Sequence, residues 1–346
     1  MNDRAAGPSG PRWIRNRLRV AFGVLAMLVV FVLGFVALVW VPYKGYQGSR
    51  SSVRVMRGTS IQALAHQLDR EGIIASSTAF RALVWLEGPH ATVKAGEYRF
   101  EGAASLAKVA QHLLEGRVVQ IQVTVPEGLT VREVARLLEA KGLVEEAQFR
   151  EAARRGAEWI VDLDPEAADL EGYLFPDTYR LASGTLAEDV VRAMVERFRE
   201  VFSEARRRKA AEMGMSVREI VALASLIEKE TSAPEERALI SAVFHNRLQR
   251  RMRLQCDPTV IYALEREGRY RGALSRRDLV FNSPYNTYVA PALPPGPIAS
   301  PGRASLEAAL EPADVEYLYF VSMNTGRHFF SHRLVEHQAA VRRYQR

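Results

Sequence analysis

The apolar positions of this chain fall into three patterns, each predicting a different kind of element. The first is a run from Val20 to Val41 with no charged residue. At about 1.5 Å of rise per residue, a helix of that length crosses a hydrocarbon core roughly 30 Å thick. Its apolar core is longer than that of a cleaved leader, and no small-x-small site follows Trp40-Val41-Pro42-Tyr43, so the run reads as a retained anchor. Trp40 and Tyr43 stand where amphipathic rings favour a membrane interface.

The second pattern is an internal repeat. VRVMRGTSIQALAHQLDREGII (53–74) realigns without a gap onto VTVPEGLTVREVARLLEAKGLV (123–144). Each copy has a short alternating strand, a Gly turn, a helix with apolar residues at i, i+3, i+4 and i+7, and a Gly stop. Phe80 and Phe149 follow at nearly matching offsets. Between the copies, 94–100 predicts a strand and Leu106 to Leu114 a helix ended by Gly116. A strand-turn-helix module of this size has the general form of LysM-like glycan-binding units; it serves equally as a spacer.

The third pattern is a helix apolar on every side. Ser216 and Glu219 form a capping box, and the segment through Val221-Ala-Leu-Ala-Ser-Leu-Ile227 leaves little surface for water. That predicts a buried helix. Further helices are predicted over about 186–209 and from Pro234 through Arg247, where Pro and acids open the first turn. Residues 254–262 read as a turn into an apolar run, 282–302 as a long proline-stiffened loop, and 317–321 with 328–331 as a hairpin around Asn324-Thr-Gly326. The expected architecture is α+β: a tail over 1–19, a transmembrane helix over 20–41, a linker over 42–52, a LysM-like repeat region over 53–160 and a second domain over 161–346.

Composition narrows the function. The 346 residues are 48% apolar and 25% charged, ordinary for a globular chain, with a formal charge of +7. Much of that charge is N-terminal, where Arg4, Arg12, Arg15, Arg17 and Arg19 face only Asp3. No basic face is legible in the body, so a nucleic-acid partner is not expected. Five arginines ahead of the span predict a cytoplasmic N-terminus and an exported remainder. Cys256 is the sole cysteine, which excludes an intramolecular disulfide.

The buried helix ends in Glu228-Lys229-Glu230. A carboxyl carried to the tip of an apolar helix can be desolvated enough to hold a proton near neutral pH and deliver it. Ordinary glycoside hydrolysis needs two carboxyls across the bond, but Glu228 and Glu230 are about 200° apart around the helix and cannot share one bond. The tip of the helix therefore offers one well-placed acid, Glu228 or Glu230. A metal site is the rival chemistry: His328, His332 and His337 lie near Glu336, but the spacing is not HExxH and dispersed surface histidines fit it better.

LEGYLFPDTY (170–179), ASLIEKET (224–231), RLQCDPTVIY (253–262), YNTY (285–288) and LPPGPIASPG (293–302), in this order and behind a membrane anchor, resemble the YceG family of endolytic murein transglycosylases. The resemblance covers nearly the whole chain after residue 19. It implies that Glu228 is the catalytic acid and that the enzyme is an inner-membrane lyase acting on the outer face. The bond it would cut joins N-acetylmuramic acid to N-acetylglucosamine in nascent strands, leaving 1,6-anhydro ends. It further implies work beside penicillin-binding proteins and termination of strand growth, with no cofactor and no metal. Gln255, Asp257, Tyr285, Asn286 and Tyr288 are the candidate substrate-binding residues, with a bracing role for the two loops as the alternative. Cys256 stands where Thr is frequent in the family and is assigned no catalytic role. A non-catalytic, membrane-anchored scaffold that binds peptidoglycan or division proteins is the competing function.

Overall fold

The structure, a computed structural model, describes residues 12–88 and 91–345. The expectations for residues 1–11 lie outside the described residues. The chain forms two compact units, one of residues 1–120 with 182–184, the other of residues 121–181 with 185–346.

The first unit begins with helix α1 (Arg12–Trp40), whose segment Arg19–Trp40 is long and apolar enough to cross a membrane, with a mean hydropathy of 3.0 and almost no burial. Near its end Val39 is buried, and Phe35 packs against the same apolar cluster. Strand β1 (Arg50–Val55) pairs antiparallel with β2 (Gly96–Glu101) in a register that sets Val53 opposite Tyr98. Val53, Val55, Tyr98 and Phe100 point to one face, as the period of two requires, and meet Leu64 and Leu68 of α2 (Ile61–Arg70), Phe80 and Val84 of α3 (Ser77–Leu86), and Val109 and Leu113 of α4 (Leu106–Leu114). The stretch ahead of β1 is irregular but tied down. Tyr43 bridges to Ala104, Gly45 N donates to Gly72 O at 2.8 Å, and Tyr46 Oη donates to Gly102 O at 2.7 Å. Gly72 has φ +68 and lies so near Gly45 that a Cβ there would sit 2.6 Å from the Gly45 carbonyl carbon.

The second unit opens with the other copy of the repeat. Strand β3 (Gln120–Thr124) leads through Gly128 (φ +78, against +79 at Gly58) into α5 (Val131–Ala140) and α6 (Glu146–Arg155). Helices α2 and α5 occupy matching spans of the two copies. Ser60 caps the first by accepting Ala63 N, and Thr130 caps the second by accepting Glu133 N. Strand β3 pairs with β4 (Thr178–Ala182). The helix expected over 186–209 is two, α7 (Ala187–Val201) and α8 (Glu204–Glu212). Phe202 turns into the core, stacked on Phe198, and its φ −86, ψ 64 leaves the helical region, so burial of one ring breaks what the local pattern would continue.

Helix α9 (Val217–Glu230) is the axis of this unit. Every residue from Ile220 to Ile227 is buried, and its Ser216–Glu219 capping box is present. Helix α8 and three later helices surround it: α10 (Arg237–Gln249), α11 (Asp257–Arg266) and α12 (Arg303–Leu310). Pro234–Glu236 is a 3-10 turn ahead of α10. The loop before α12 fills core rather than lying on the surface, with Ile298, Ala299 and Ser300 almost fully buried and Ile298 N bonded to Ser225 Oγ at 3.0 Å. Strands β5 (Tyr319–Ser322) and β6 (His328–Ser331) form the expected hairpin, followed by α13 (Leu334–Tyr344).

Candidate active site

Helix α9 stops at Glu230 because Thr231 adopts extended dihedrals, and its last turn presents two carboxyls in different directions. Glu228 has only 7% of its side chain exposed. Its Oε2 accepts the amide hydrogen of Gly302, the residue that opens α12, at 2.9 Å. Arg237, at the start of α10, brings Nη2 to 3.6 Å from Oε1 of Glu228 while its Nε donates to Ser305 Oγ at 3.2 Å. Lys229 lies beside Glu228 on Gly128 and donates to Gly128 O at 3.2 Å.

A second carboxyl that local sequence patterns do not single out joins this corner. Gly128 N donates to Ser300 O at 2.8 Å and Ser300 N to Leu129 O at 2.9 Å, which fastens the turn of the second repeat to the loop before α12. Glu127 is thereby laid against the α-carbon of Gly302, its carboxyl in the space where a side chain would start. Glu127 is exposed as a residue. Desolvation of its carboxyl and then the charge of Glu228 push it above the usual carboxylate range, with Arg237 opposing. A clue was present: the first copy of the repeat has Arg57 where the second has Glu127, so only the second copy carries an acid there. Arg237 had no comparable signal.

The predicted binding residues divide among three places. Asp257 and Tyr288 lie near Glu230 rather than Glu228, and Gln255 meets Arg247, whose charge also acts on Glu230. Burial drives the Glu230 carboxyl up to about 7; a hydrogen bond with Cys256 and the charges of His328 and Arg247 pull the other way, while that of Asp257 adds to the rise. Tyr288 Oη donates to Asp257 Oδ1 at 2.6 Å, and Gln255, at φ 51, sets Oε1 3.5 Å from Arg247 Nη1. Burial and the charge of Glu230 hold the Cys256 thiol well above its ordinary range, so it is no nucleophile. Asn286 is fully buried and spends its amide on its own loop, donating to Leu279 O at 3.1 Å and Phe281 O at 2.8 Å and accepting Tyr288 N at 2.9 Å.

Tyr285 belongs to the third place. It packs 5.1 Å from the Tyr262 ring, with the Arg266 guanidinium 5.0 Å over its own. Tyr262 and Arg266 line a cavity of about 490 Å³ with Glu171, Asp169, Arg132 and Arg150. Glu171, from the 170–179 motif, caps α5 by accepting Val131 N at 3.0 Å and also accepts Tyr262 Oη at 3.3 Å. Burial, reinforced by Asp169, raises it to about 8. The histidines of the rival reading are dispersed: His328 Nδ1 meets Glu236 Oε2 at 2.7 Å, His332 packs on Tyr317 and His337 on Tyr319.

Comparison with known proteins agrees with this arrangement of motifs. Residues 53–343 match the YceG-like family. A Bacillus subtilis protein named endolytic murein transglycosylase is 33% identical over 309 residues, which is 85% of this chain and 84% of that protein. A Streptococcus pneumoniae protein of the same name is 26% identical over 84% of this chain, which spans 57% of that longer relative. The crystal structure of a YceG-like protein from Listeria monocytogenes superposes with a TM-score of 0.58 at 31% identity, covering 84% of this chain and 98% of that one. The chain belongs to the YceG-like family.

Proposed function

We propose that this chain is an endolytic peptidoglycan lytic transglycosylase, a lyase, with Glu228 as its acid. The observation that carries the reading is the position of that side chain: a nearly buried carboxyl at the end of a helix buried from Ile220 to Ile227, in a chain a third identical over most of its length to a relative named for this activity. The substrate is the glycan strand of peptidoglycan, cut between N-acetylmuramic acid and N-acetylglucosamine. Glu228 gives a proton to the leaving oxygen as the bond to C1 breaks. The O6 of the muramoyl residue then bonds to C1, and its proton returns to the enzyme, leaving a 1,6-anhydro end. Neither water nor an enzyme nucleophile is consumed.

Helix α1 anchors the protein in the inner membrane with its arginine-rich N-terminus in the cytoplasm and the two units outside, where nascent strands are accessible. Cutting there terminates strand elongation beside the penicillin-binding proteins that extend it. The repeat region is LysM-like in form, and Gln255, Asp257, Tyr285, Asn286 and Tyr288 shape or brace the cleft.

The test uses the full chain in detergent micelles with uncrosslinked glycan strands, reading the products by mass spectrometry. Anhydro ends from the native enzyme and none from Glu228→Gln support the reading. Hydrated reducing ends would mean hydrolysis, and no products from either protein would leave a tethered scaffold.

A further inference from the structure

Glu127 and Glu228 approach Gly302 from two sides. Glu228 takes its amide hydrogen, and the carboxyl of Glu127 lies against its α-carbon, in the space where a Cβ would stand. The approach is built in, since the backbone bonds of Gly128 and Leu129 to Ser300 hold the two loops together. Two carboxylates at such range repel, and a protein relieves the repulsion by supplying cations or by keeping a proton. Arg237 is the cation directed at Glu228, and it is shared with Ser305. Of the neighbouring charges, Glu307 pairs with Arg206 and Glu236 with His328, Arg303 acts on Asp177, and Lys229 donates to Gly128 O while its charge acts on Glu265. Arg237 is the cation that acts on both acids.

We propose that Glu127 is the charge partner of Glu228, the two carboxyls holding one proton between them, so that Glu228 carries a proton when the glycan arrives. Glu127 is a positioning residue in this scheme, and the scheme rests on Glu228 being the acid of the proposed lyase. Desolvation of Glu127 and the field of Glu228 already disfavour ionising both. The balance closes over a turnover. One proton leaves the pair for the departing oxygen, the C1–O bond breaks, the C1–O6 bond forms, and the O6 proton restores the pair to its starting count. An acid with no charged neighbour would lose its proton at lower pH and leave the reaction without a donor. Arg57 at the matching place of the first repeat ties this carboxyl to the copy beside Glu228.

The experiment is a pH–rate profile of the full-length Glu127→Gln enzyme in micelles against native enzyme, with anhydro ends as the readout. The expected result is an alkaline limb displaced downward by at least one pH unit, which is about a tenfold loss at a pH where the native enzyme is still on its plateau. A uniform loss at every pH, or an unmoved limb, overturns the proposal. Should Glu127→Gln fail to fold or to turn over, the carbon-13 titration of side-chain carboxyls in the native protein decides the matter. One proton retained by the pair through neutral pH supports the scheme, and two ionised carboxylates refute it. Hydrated ends from native enzyme, or full activity in Glu228→Gln, would instead refute the lyase reading, whichever way the limb moves.

Discussion

Gly302 donates its amide hydrogen to Glu228 over 2.9 Å, and the carboxyl of Glu127 fills the space into which a side chain at the same residue would grow. Its dihedrals, φ −77 and ψ 172, are open to any residue. The requirement for glycine here comes from a neighbour, not from backbone strain. In Gly302→Ala the new methyl group must push Glu127 away while α12 keeps its start. The expected outcome is the alkaline-limb displacement expected of Glu127→Gln, about a tenfold loss of anhydro-end formation at a pH where the native enzyme is on its plateau, with the circular dichroism spectrum unchanged. A variant of native activity would show that the Glu127 contact does not matter to the chemistry.

Two carboxyls away from that corner make stability depend on pH. Glu171 is raised to about 8 and Glu230 to about 7, from ordinary values near 4.5, in each case chiefly by burial. Below about pH 4.5 the folded and unfolded chains both hold these protons. Between there and pH 7 to 8 only the folded chain does, so stability falls as pH rises, by up to about 1.4 kcal/mol per pH unit for each group. Melting temperature should therefore drop from pH 5 to pH 8 in the native protein and drop less in Glu171→Gln/Glu230→Gln, since the amide mimics the protonated acid. Parallel curves for the two proteins would contradict the assigned causes.

Asn286 was a candidate for binding sugar, but its amide is committed to three backbone groups of its own loop. Asn286→Ala takes the donor from the half-buried carbonyls of Leu279 and Phe281, at about 0.5–1.5 kcal/mol for each hydrogen bond lost. Chemical denaturation should show a loss of that order. Activity per folded molecule should survive better than in Gly302→Ala. A large loss of activity at unchanged stability would return Asn286 to the substrate.

Which features were legible in the sequence follows from the range of the interactions that make them. The capping box at Ser216, the all-round burial of α9, the two copies of the strand-turn-helix and the closing hairpin are set by residues a few positions apart, and periodicity reads them. The division of 186–209 at Phe202 was not readable, because a ring leaving a helix for a distant core has no local mark. Glu127 escaped for the same reason. Pro126-Glu127-Gly128 reads locally as a turn, and only the pairing of that turn with residues 300–302, far along the chain, makes its acid a neighbour of Glu228. The roughly 200° separation of Glu228 and Glu230 was geometry the sequence could supply, and the two face different partners. It did not say which of the two the residues of 255–288 would join.

The anchor is also part of a core. Val39 is 5% exposed in the apolar cluster of the first unit, Phe35 packs beside it, and Tyr43 bridges to Ala104. A chain shortened to begin at Lys44 therefore loses more than its membrane attachment. It gives up a buried valine, worth about 1.5–3 kcal/mol of transfer free energy, and uncovers Leu83 and Ala110 on α3 and α4. The first unit should melt lower in this shortened protein than in one that begins at Gly34 with solubilising substitutions on the exposed residues of α1. Full-length Val39→Asn in micelles should reproduce the drop without any truncation. If the shortened chain and the full chain melt together, Val39 contributes nothing to the fold and the helix ends its structural role at the membrane.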